Sequence, residues 1–429
     1  MIKCPNCFQD LPADLLAFVC KHCPPVEDPA LSVSRGVRSG SGPVLLVERP
    51  AKDARWTPPE LVVCPGCHRN TGTMVCPNCH YELTTAWRSG RAVCLALAGA
   101  RATGKTVYIA VLIKLLEMLA ESMHSPLRPV GRTLHIYKEF YEPFLLRARS
   151  LPGATPRVQT ENSPQIEPLI WSIGQINGVE HHIVIRDAAG EELEAASQAG
   201  HLGFFAHASL VLFLFDPTHV PEVRNQLADH LSTNQRVGGD PATVLTNLLS
   251  LMGRGRHRLG IALSKFDTMQ AFAQRPGSLW QQVMLNTGAA FRRDSQPGLP
   301  YYDEHDGGLL DQEIRSMLRR LHAGRIVLLA EEPPAGLQLE SRFFAVSALG
   351  FEPVGMPTAL PPSECSTRFA GRWPMRGSSV GFDGAGPAGY GGRRLSPRGA
   401  QNGFGSQEEW GWPFGRVQSK LANPEDEEQ

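Results

Sequence analysis

Residues 99–106, Gly-Ala-Arg-Ala-Thr-Gly-Lys-Thr, fit the pattern G-x-x-x-x-G-K-[ST] at every fixed position. The flanks restrict what such a loop can belong to. Arg91 to Ala98 (RAVCLALA) is an apolar run that predicts a buried strand. Lys105 to Met123 repeats apolar residues at helical spacing. In that order, strand, glycine turn and helix let backbone N–H groups close around phosphate oxygens where the helix dipole favours negative charge. Gly99, Ala102, Thr103 and Gly104 are the expected cradle. Lys105 is expected to reach the β- and γ-phosphates, and the Thr106 hydroxyl to ligate Mg²⁺.

The chain has 429 residues, room for two or three domains, and its 42% hydrophobic content supplies a sizeable core. Lys+Arg and Asp+Glu both number 42, so no global field steers it to nucleic acid or an acidic membrane. The start, MIKCPNC, has no signal-peptide apolar region, and runs such as Ala208 to Phe215 are too short for a span. A reducing, cytoplasmic setting is expected, because eight of the ten cysteines fall in C-x-x-C pairs beside the glycine loop. The pairs are Cys4/Cys7, Cys20/Cys23, Cys64/Cys67 and Cys76/Cys79. Two such knuckles close a tetrahedral shell of four sulfurs with no open position, which predicts two structural Zn²⁺. Adjacency in the chain predicts one zinc ribbon at 1–24 and another at 61–84. Residues 25–60, rich in Pro, Ser, Gly and Arg, predict a linker with a short strand at Pro43 to Val47. The ribbons lack basic and aromatic interleaving, so protein contact or plain support of the next domain is expected of them rather than nucleic-acid binding.

From Arg91 onward apolar runs alternate with helical segments, which predicts an α/β fold with a mostly parallel sheet and helices on both faces. Strands are expected at Pro168 to Ile173, His181 to Arg186, Leu210 to Phe215, Leu259 to Leu263 and Arg342 to Val346. An added helix is expected at Leu134 to Ser150, and an insertion at about 268–340 with helices at Gly277 to Arg292 and Leu309 to His322. The second of these strands, His181 to Arg186, runs into Asp187-Ala-Ala-Gly190-Glu191. Asp187 there would hold Mg²⁺ through its water shell, and the Gly190 N–H would meet the γ-phosphate. The strand ending at Leu263 runs into Ser264-Lys265-Phe266-Asp267, and the last into Ser347-Ala348. A carboxylate at Asp267 can accept from guanine N1–H and the exocyclic amine together, while the Lys265 stem lies along the base. Residues 351–429 are low in complexity and predict a disordered tail, with Trp373, Trp410 and Trp412 as candidate partner anchors.

In their order, these motifs resemble a small Ras-like P-loop GTPase domain over 90–350. With the cysteine pairs in front, the chain resembles the second type of the bacterial double-GTPase families of conflict (defence) systems. The resemblance implies GTP/GDP and Mg²⁺ as cofactors, slow GTP hydrolysis driving a molecular switch, and a protein partner that is itself a second GTPase. It implies that Ser347 and Ala348 close over the guanine oxygen. Thr155, rather than Thr160, would close over Mg²⁺. Glu191 stands where relatives carry a water-positioning glutamine, and Arg101 where many carry glycine. Each of the two has two readings: Glu191 a catalytic carboxylate or the acidic first turn of a helix, Arg101 a cis-acting charge stabiliser or a solvent-facing side chain. Ser264 departs from the Asn or Thr of the guanine motif. Two alternatives therefore stand beside the switch: a P-loop ATPase, and a nucleotide-binding scaffold with little or no turnover.

Overall fold

Antiparallel pairing around one short strand organises the cysteine-rich segment. In the computed structural model, β1 (Leu15–Val19) is followed by β2 (Val26–Glu27), helix α1 (Pro29–Arg35), β3 (Gly40–Ser41), β4 (Val44–Glu48), β5 (Val62–Val63), β6 (Asn70–Thr71) and β7 (Met74–Val75). β1 is flanked by β4, from Leu15↔Glu48 to Val19↔Val44, and by β7, with Ala17↔Val75 and Phe18↔Met74. The described residues are 2–50, 56–143, 167–195, 200–226, 239–269, 273, 279–292 and 303–347. The expected linker is therefore folded over most of its length, a correction with a local cause. Its Pro, Ser, Asp and Gly residues are turn and cap chemistry rather than flexible spacer. Asp28 caps α1 by accepting from the Leu31 N–H, Pro29 opens the first turn, and Gly36 ends the helix in the left-handed region at φ 72°. Asp28 also accepts from the Ser41 hydroxyl and lies 2.7 Å from His80 Nδ1, which ties α1 to the last cysteine knuckle.

The larger sheet has seven strands in the order β14-β13-β12-β8-β11-β10-β9. They are β8 (Arg91–Gly99), β9 (Arg128–Pro129), β10 (Leu169–Ile176), β11 (Val179–Asp187), β12 (Leu210–Phe215), β13 (Gly255–Leu263) and β14 (Leu337–Ala345). The pairs β11–β8, β8–β12, β12–β13 and β13–β14 are parallel, whereas β10 runs antiparallel to both β11 and β9. β8 is central, and its C-terminal end lies where the strand order reverses, the place where open α/β sheets gather ligand-binding loops. The expected strands are present, each longer by a few residues at one or both ends except β12.

The helices are α2 (Lys105–Ser122), α3 (Thr133–Phe140), α4 (Gly190–Glu194), α5 (Pro221–Gln226), α6 (Pro241–Met252), α7 (Phe266–Met269), α8 (Leu279–Leu285), α9 (Glu304–Arg320) and α10 (Gly324–Glu331). Of the expected helix at 134–150, Thr133–Phe140 is observed and 144–150 lies outside the described residues. The helix expected at 277–292 is shorter, closing after Leu285 and resuming as a 3₁₀ turn at Ala290–Arg292. That expected at 309–322 starts earlier, because Asp303 accepts from the His305 and Asp306 N–H groups and Glu304 and Asp306 complement the dipole. Thr155, Thr160, Ala348 and the segment 351–429 with its tryptophans lie outside the described residues.

Strand alternation sorts β8 between two faces. Cys94, Ala96 and Ala98 belong to a core with Val244, Leu245 and Leu248 of α6, and the same core takes in Ile2, Cys4, Phe8, Leu11, Leu83 and Trp87 of the cysteine-rich segment. Leu95 and Leu97 are buried on the opposite side, as are Ile109 and Ile113 of α2. The cysteine-rich segment is thus continuous with the sheet, within one compact unit of Met1–Thr358. Its contacts are directional as well as apolar. Phe8 meets Phe204 edge-on at 5.5 Å, Lys3 Nζ donates to the His207 carbonyl at 2.7 Å, and Trp87 Nε1 donates to the Lys3 carbonyl at 3.0 Å. Phe8→Ala empties a fully buried site at this junction. It is expected to destabilise the chain by about 3–5 kcal/mol, read as a lower denaturation midpoint at constant slope.

Candidate functional site

Sulfur geometry settles how the cysteines group. One set is Cys4, Cys7, Cys76 and Cys79, and the other is Cys20, Cys23, Cys64 and Cys67. The expected pairing of neighbouring knuckles into ribbons at 1–24 and 61–84 is corrected: each set takes one knuckle from each block. β1 and β7 are antiparallel, so the end of one lies beside the start of the other. Cys20 therefore meets the knuckle that precedes β7, and Cys76 folds back to the knuckle that precedes β1. The Sγ–Sγ separations are 3.6 Å for Cys4–Cys79, 3.8 Å for Cys7–Cys76, 3.6 Å for Cys20–Cys67 and 3.7 Å for Cys23–Cys64. A regular tetrahedron with Zn–S bonds of about 2.3 Å has edges of about 3.8 Å. Each set therefore fits one zinc ion.

The knuckles are built for thiolates. Asn6 and Asn78 point their N–H groups at Cys4 Sγ and Cys76 Sγ, both at 3.4 Å. Backbone donors at Cys67 and Gly66 bring the Cys64 thiol down to about 7. The residue after the second cysteine is left-handed in three knuckles, at Phe8 (φ 62°), His68 (φ 58°) and His80 (φ 54°). In the fourth it is Pro24, whose ring forbids that conformation. The Cys4 set is the inner one. Arg186 of β11, fully buried, donates from its guanidinium to the Asn6 carbonyl at 2.7 Å and stacks on Phe204 at 4.2 Å. Burial lowers the Arg186 pKa to about 10, opposed by the charges of Cys79, Cys7 and Cys4.

The glycine loop leaves β8 and enters α2 with Gly104 at the helix cap. Gly99 is required by close approach, since a Cβ there would lie 2.4 Å from the Leu214 carbonyl of β12. Thr103 Oγ1 donates to the Ala100 carbonyl at 3.0 Å, and Lys105 Nζ to the carbonyls of Gly99 at 2.8 Å and Ala100 at 3.0 Å. Lys105 is 4% exposed, and burial pulls its ammonium down against the charges of Asp187 and Glu194. Thr106 follows in the first turn, half-buried. Asp187 at the end of β11 is 5% exposed, and neither carboxylate oxygen has a hydrogen-bond partner among the described residues. Burial raises its pKa to about 6, against Lys105 and the Ala188 N–H. A buried carboxylate with nothing to satisfy it is a costly arrangement that a bound cation relieves.

Glu191 and Arg101, the two expected catalytic groups, are brought together as an ion pair at 2.8 Å. The sequence reading missed Glu194. Its Oε1 accepts from the Arg101 backbone N–H at 2.8 Å and from the Gly239 N–H at 3.0 Å. Three carboxylates following Gly190 were the available signal, but position within a short helix decides which one reaches the loop.

Further along the sheet's C-terminal edge, Ser347 Oγ donates to Asp267 Oδ1, and the Phe266 N–H to the Val346 carbonyl at 3.1 Å. Lys265, left-handed at φ 50°, does not stand alone beside them but pairs with Asp216 at 2.7 Å. Asp216 is fully buried, which alone would raise its pKa, yet Lys265 and His219 hold it below the usual carboxylate range. Asp216 was readable only as the end of an apolar strand. Ser264 is buried, and its hydroxyl has no hydrogen-bond partner among the described residues.

Fold and site together define a mixed α/β protein with two four-cysteine metal sites, one of them packed against the sheet that carries the glycine loop. No protein-family model matches the chain. Over 299 residues it is 46% identical to a protein of Mycolicibacterium smegmatis (strain ATCC 700084 / mc(2)155) named "Putative ESX-1 scaffolding and assembly protein SaeC", covering 69% of this chain and 74% of that protein. The chain belongs to the SaeC family. That kinship corrects the expectation of a GTP-hydrolysing switch in a conflict system, because the relative is named for scaffolding and assembly.

Two outcomes follow for this site. Zinc analysis of the purified chain is expected to give about two ions per chain. Cys4→Ser with Cys79→Ser should leave one ion, whereas Cys4→Ser with Cys20→Ser should leave none; pairing by adjacency gives the reverse. Asp187→Asn removes a buried charge. A carboxyl whose pKa is raised in the fold stabilises the folded state at low pH, and that contribution is lost as pH rises through about 6. At pH 7.5, without added metal, Asp187→Asn should therefore be more stable than the parent by on the order of 2–3 kcal/mol. The gain should shrink towards pH 4 when thermal melts are compared across that range.

Proposed function

We propose that this chain is a scaffolding and assembly protein that binds a guanine nucleotide and turns it over slowly or not at all. The scaffolding part rests on the kinship with the ESX-1 scaffolding and assembly protein, and extends that role to this chain. Two four-cysteine sets, the inner of them packed into the core of the sheet, suit a platform of the kind a scaffold needs. The observation that carries the nucleotide site is Asp187: buried, unsatisfied, and electrostatically coupled to Lys105 at the glycine loop. The parallel strand order, with β8 at the centre and β10 reversed, is that expected of a Ras-like P-loop domain. In such a site Lys105 and the loop amides would hold the phosphates, and Thr106 and Asp187 would hold Mg²⁺. Mg²⁺ would supply charge neutralisation between the phosphates and Asp187. Asp267, steadied by Ser347, supports guanine as the base.

Low turnover has its own support. Glu191 in place of a neutral water-positioning group is already paired with Arg101, so neither is placed to act on a developing charge without first separating. Calorimetric titration with Mg·GDP and single-turnover assays on the full chain test the reading. Binding should be lost in Lys105→Ala and weakened at least tenfold in Asp267→Ala. Hydrolysis should stay at or below the order of 10⁻⁴ s⁻¹ of unassisted Ras-type proteins. In cells, removing the chain should reduce recovery of ESX-1 assemblies. Intact assembly without it would overturn the scaffolding role, and absence of any nucleotide binding would overturn the site.

A further inference from the structure

An unpaired strand edge is a row of main-chain donors and acceptors open to another chain, and folded proteins blunt most of theirs. In the larger sheet, β9 is two residues long and includes Pro129. At the other end α9 guards β14: Asp311 accepts from the Phe343 N–H at 2.7 Å, and Arg315 donates to the Ser341 carbonyl at 3.2 Å. In the cysteine-rich sheet, β7 is covered by the chain that follows it, with the Leu83 N–H donating to the Met74 carbonyl at 2.9 Å. β4 is the exception. It ends that sheet, in the order β4-β1-β7, and among the described residues no strand pairs with its outer side. Val44–Glu48 reads Val-Leu-Leu-Val-Glu, without the proline or lysine that protects many edges. The direction of its free groups follows from the register. The Pro43 carbonyl accepts from the Cys20 N–H, and the Arg49 N–H donates to the Asp14 carbonyl. Leu45 and Val47 therefore bond β1, while Val44, Leu46 and Glu48 turn their N–H and C=O groups outward. The side chains of Val44 and Leu46 stand on the face of Ala17 and Val19, which with Val75 form a small core apart from the main one. Leu46 is 58% exposed there.

We propose that the open edge of β4 is a docking site for an extended segment of a partner protein, added antiparallel, with the pattern basic-x-apolar-x-apolar. Main-chain bonds to Val44, Leu46 and Glu48 hold the segment, and its alternate side chains are read. Residues directly opposite share a face, so apolar side chains across from Val44 and Leu46 extend the small core of Ala17, Val19 and Val75. In an antiparallel partner the residue across from Glu48 comes first, and a lysine or arginine there meets an exposed carboxylate. Pro43 and Pro50 flank the strand and limit the usable edge to it. Two features favour such a segment over a second copy of this chain. An edge of five residues, about 17 Å long, buries far less than the roughly 1,000 Å² of a stable dimer. Two-fold pairing of two copies about Leu46 would also set Glu48 against Val44 and leave the carboxylate without a cation. The site gives the scaffolding role the chemistry of a partner, but it stands on the strand geometry, so its failure leaves that role and the nucleotide site as they were.

The test selects random heptapeptides displayed on phage against the full, zinc-loaded chain, then measures the enriched peptides as labelled synthetic probes by fluorescence anisotropy. Enrichment of the basic-x-apolar-x-apolar pattern is expected. Leu46→Pro removes an N–H that faces the open edge and none that bonds β1, so the sheet is kept and peptide binding should weaken at least tenfold. Leu46→Lys should weaken it as well, leaving the main chain untouched. Glu48→Lys should weaken the original peptides at least fivefold and shift a fresh selection to peptides that lead with Asp or Glu. Zinc content and melting temperature matching the parent establish that each variant is folded; should Leu46→Pro lose zinc, Leu46→Lys and Glu48→Lys carry the comparison. Selection without the pattern, or peptides that bind the Leu46 and Glu48 variants as tightly as the parent, would overturn the site. A parent dimer in sedimentation equilibrium that Leu46→Lys dissociates would overturn it too, in favour of pairing between copies.

Discussion

Two consecutive residues at the end of β11 hold the molecule's halves in register. Arg186 and Asp187 lie on opposite faces of the sheet, as alternation demands. Arg186 is buried among the knuckles of the inner cysteine set, where its guanidinium meets the Asn6 carbonyl and the Phe204 ring. Asp187 is buried against the glycine loop, its carboxylate without a hydrogen-bond partner among the described residues. A buried arginine is tolerable only beside compensating negative charge, and four thiolates around a divalent ion carry a net charge of about −2. A buried aspartate is tolerable only beside positive charge, which Lys105 supplies in part. Each half therefore leans on β11 for an ion it cannot satisfy alone.

Much of this was legible in the sequence, and the remainder divides along physical lines. The strands of the larger sheet announce themselves because both faces are buried, leaving continuous apolar runs such as Leu210 to Phe215. The glycine loop is legible because a fixed conformation needs fixed residues at Gly99 and Gly104. The eight cysteine ligands were also clear, but their grouping was not. Spacing within a knuckle is local, whereas the choice of partner knuckle depends on the antiparallel register of β1 and β7. The segment 25–60 misled for a related reason: capping and turn residues look like a linker until the helix they cap is seen. Glu194 and Asp216 were beyond reach, since each acts through a contact distant in sequence, at Arg101 and Lys265.

A switch and a scaffold can share a fold and differ in what surrounds the phosphates. Turnover requires groups that stabilise charge as it develops, poised and not already engaged. Around this loop they are engaged: Arg101 with Glu191, Lys105 with two carbonyls, the Arg101 amide with Glu194. For the proposed nucleotide site this means that Arg101 and Glu191 would have to separate before either could act on a developing charge.

The two metal sites are unequal for the same electrostatic reason. The inner set packs into the main core, and its Cys4, Cys76 and Cys79 are shielded on all sides. Its net negative charge is matched by Arg186, whose own burial would be costly without it. Among the described residues the outer set has no comparable buried cation: Lys21, next to Cys20, is half-exposed and turned to Glu82. Water screens the outer site's charge, so an ion there would serve chiefly to pin two loops together. At the inner site, loss of an ion followed by protonation of the four thiolates would remove the negative charge that makes Arg186 acceptable inside the protein.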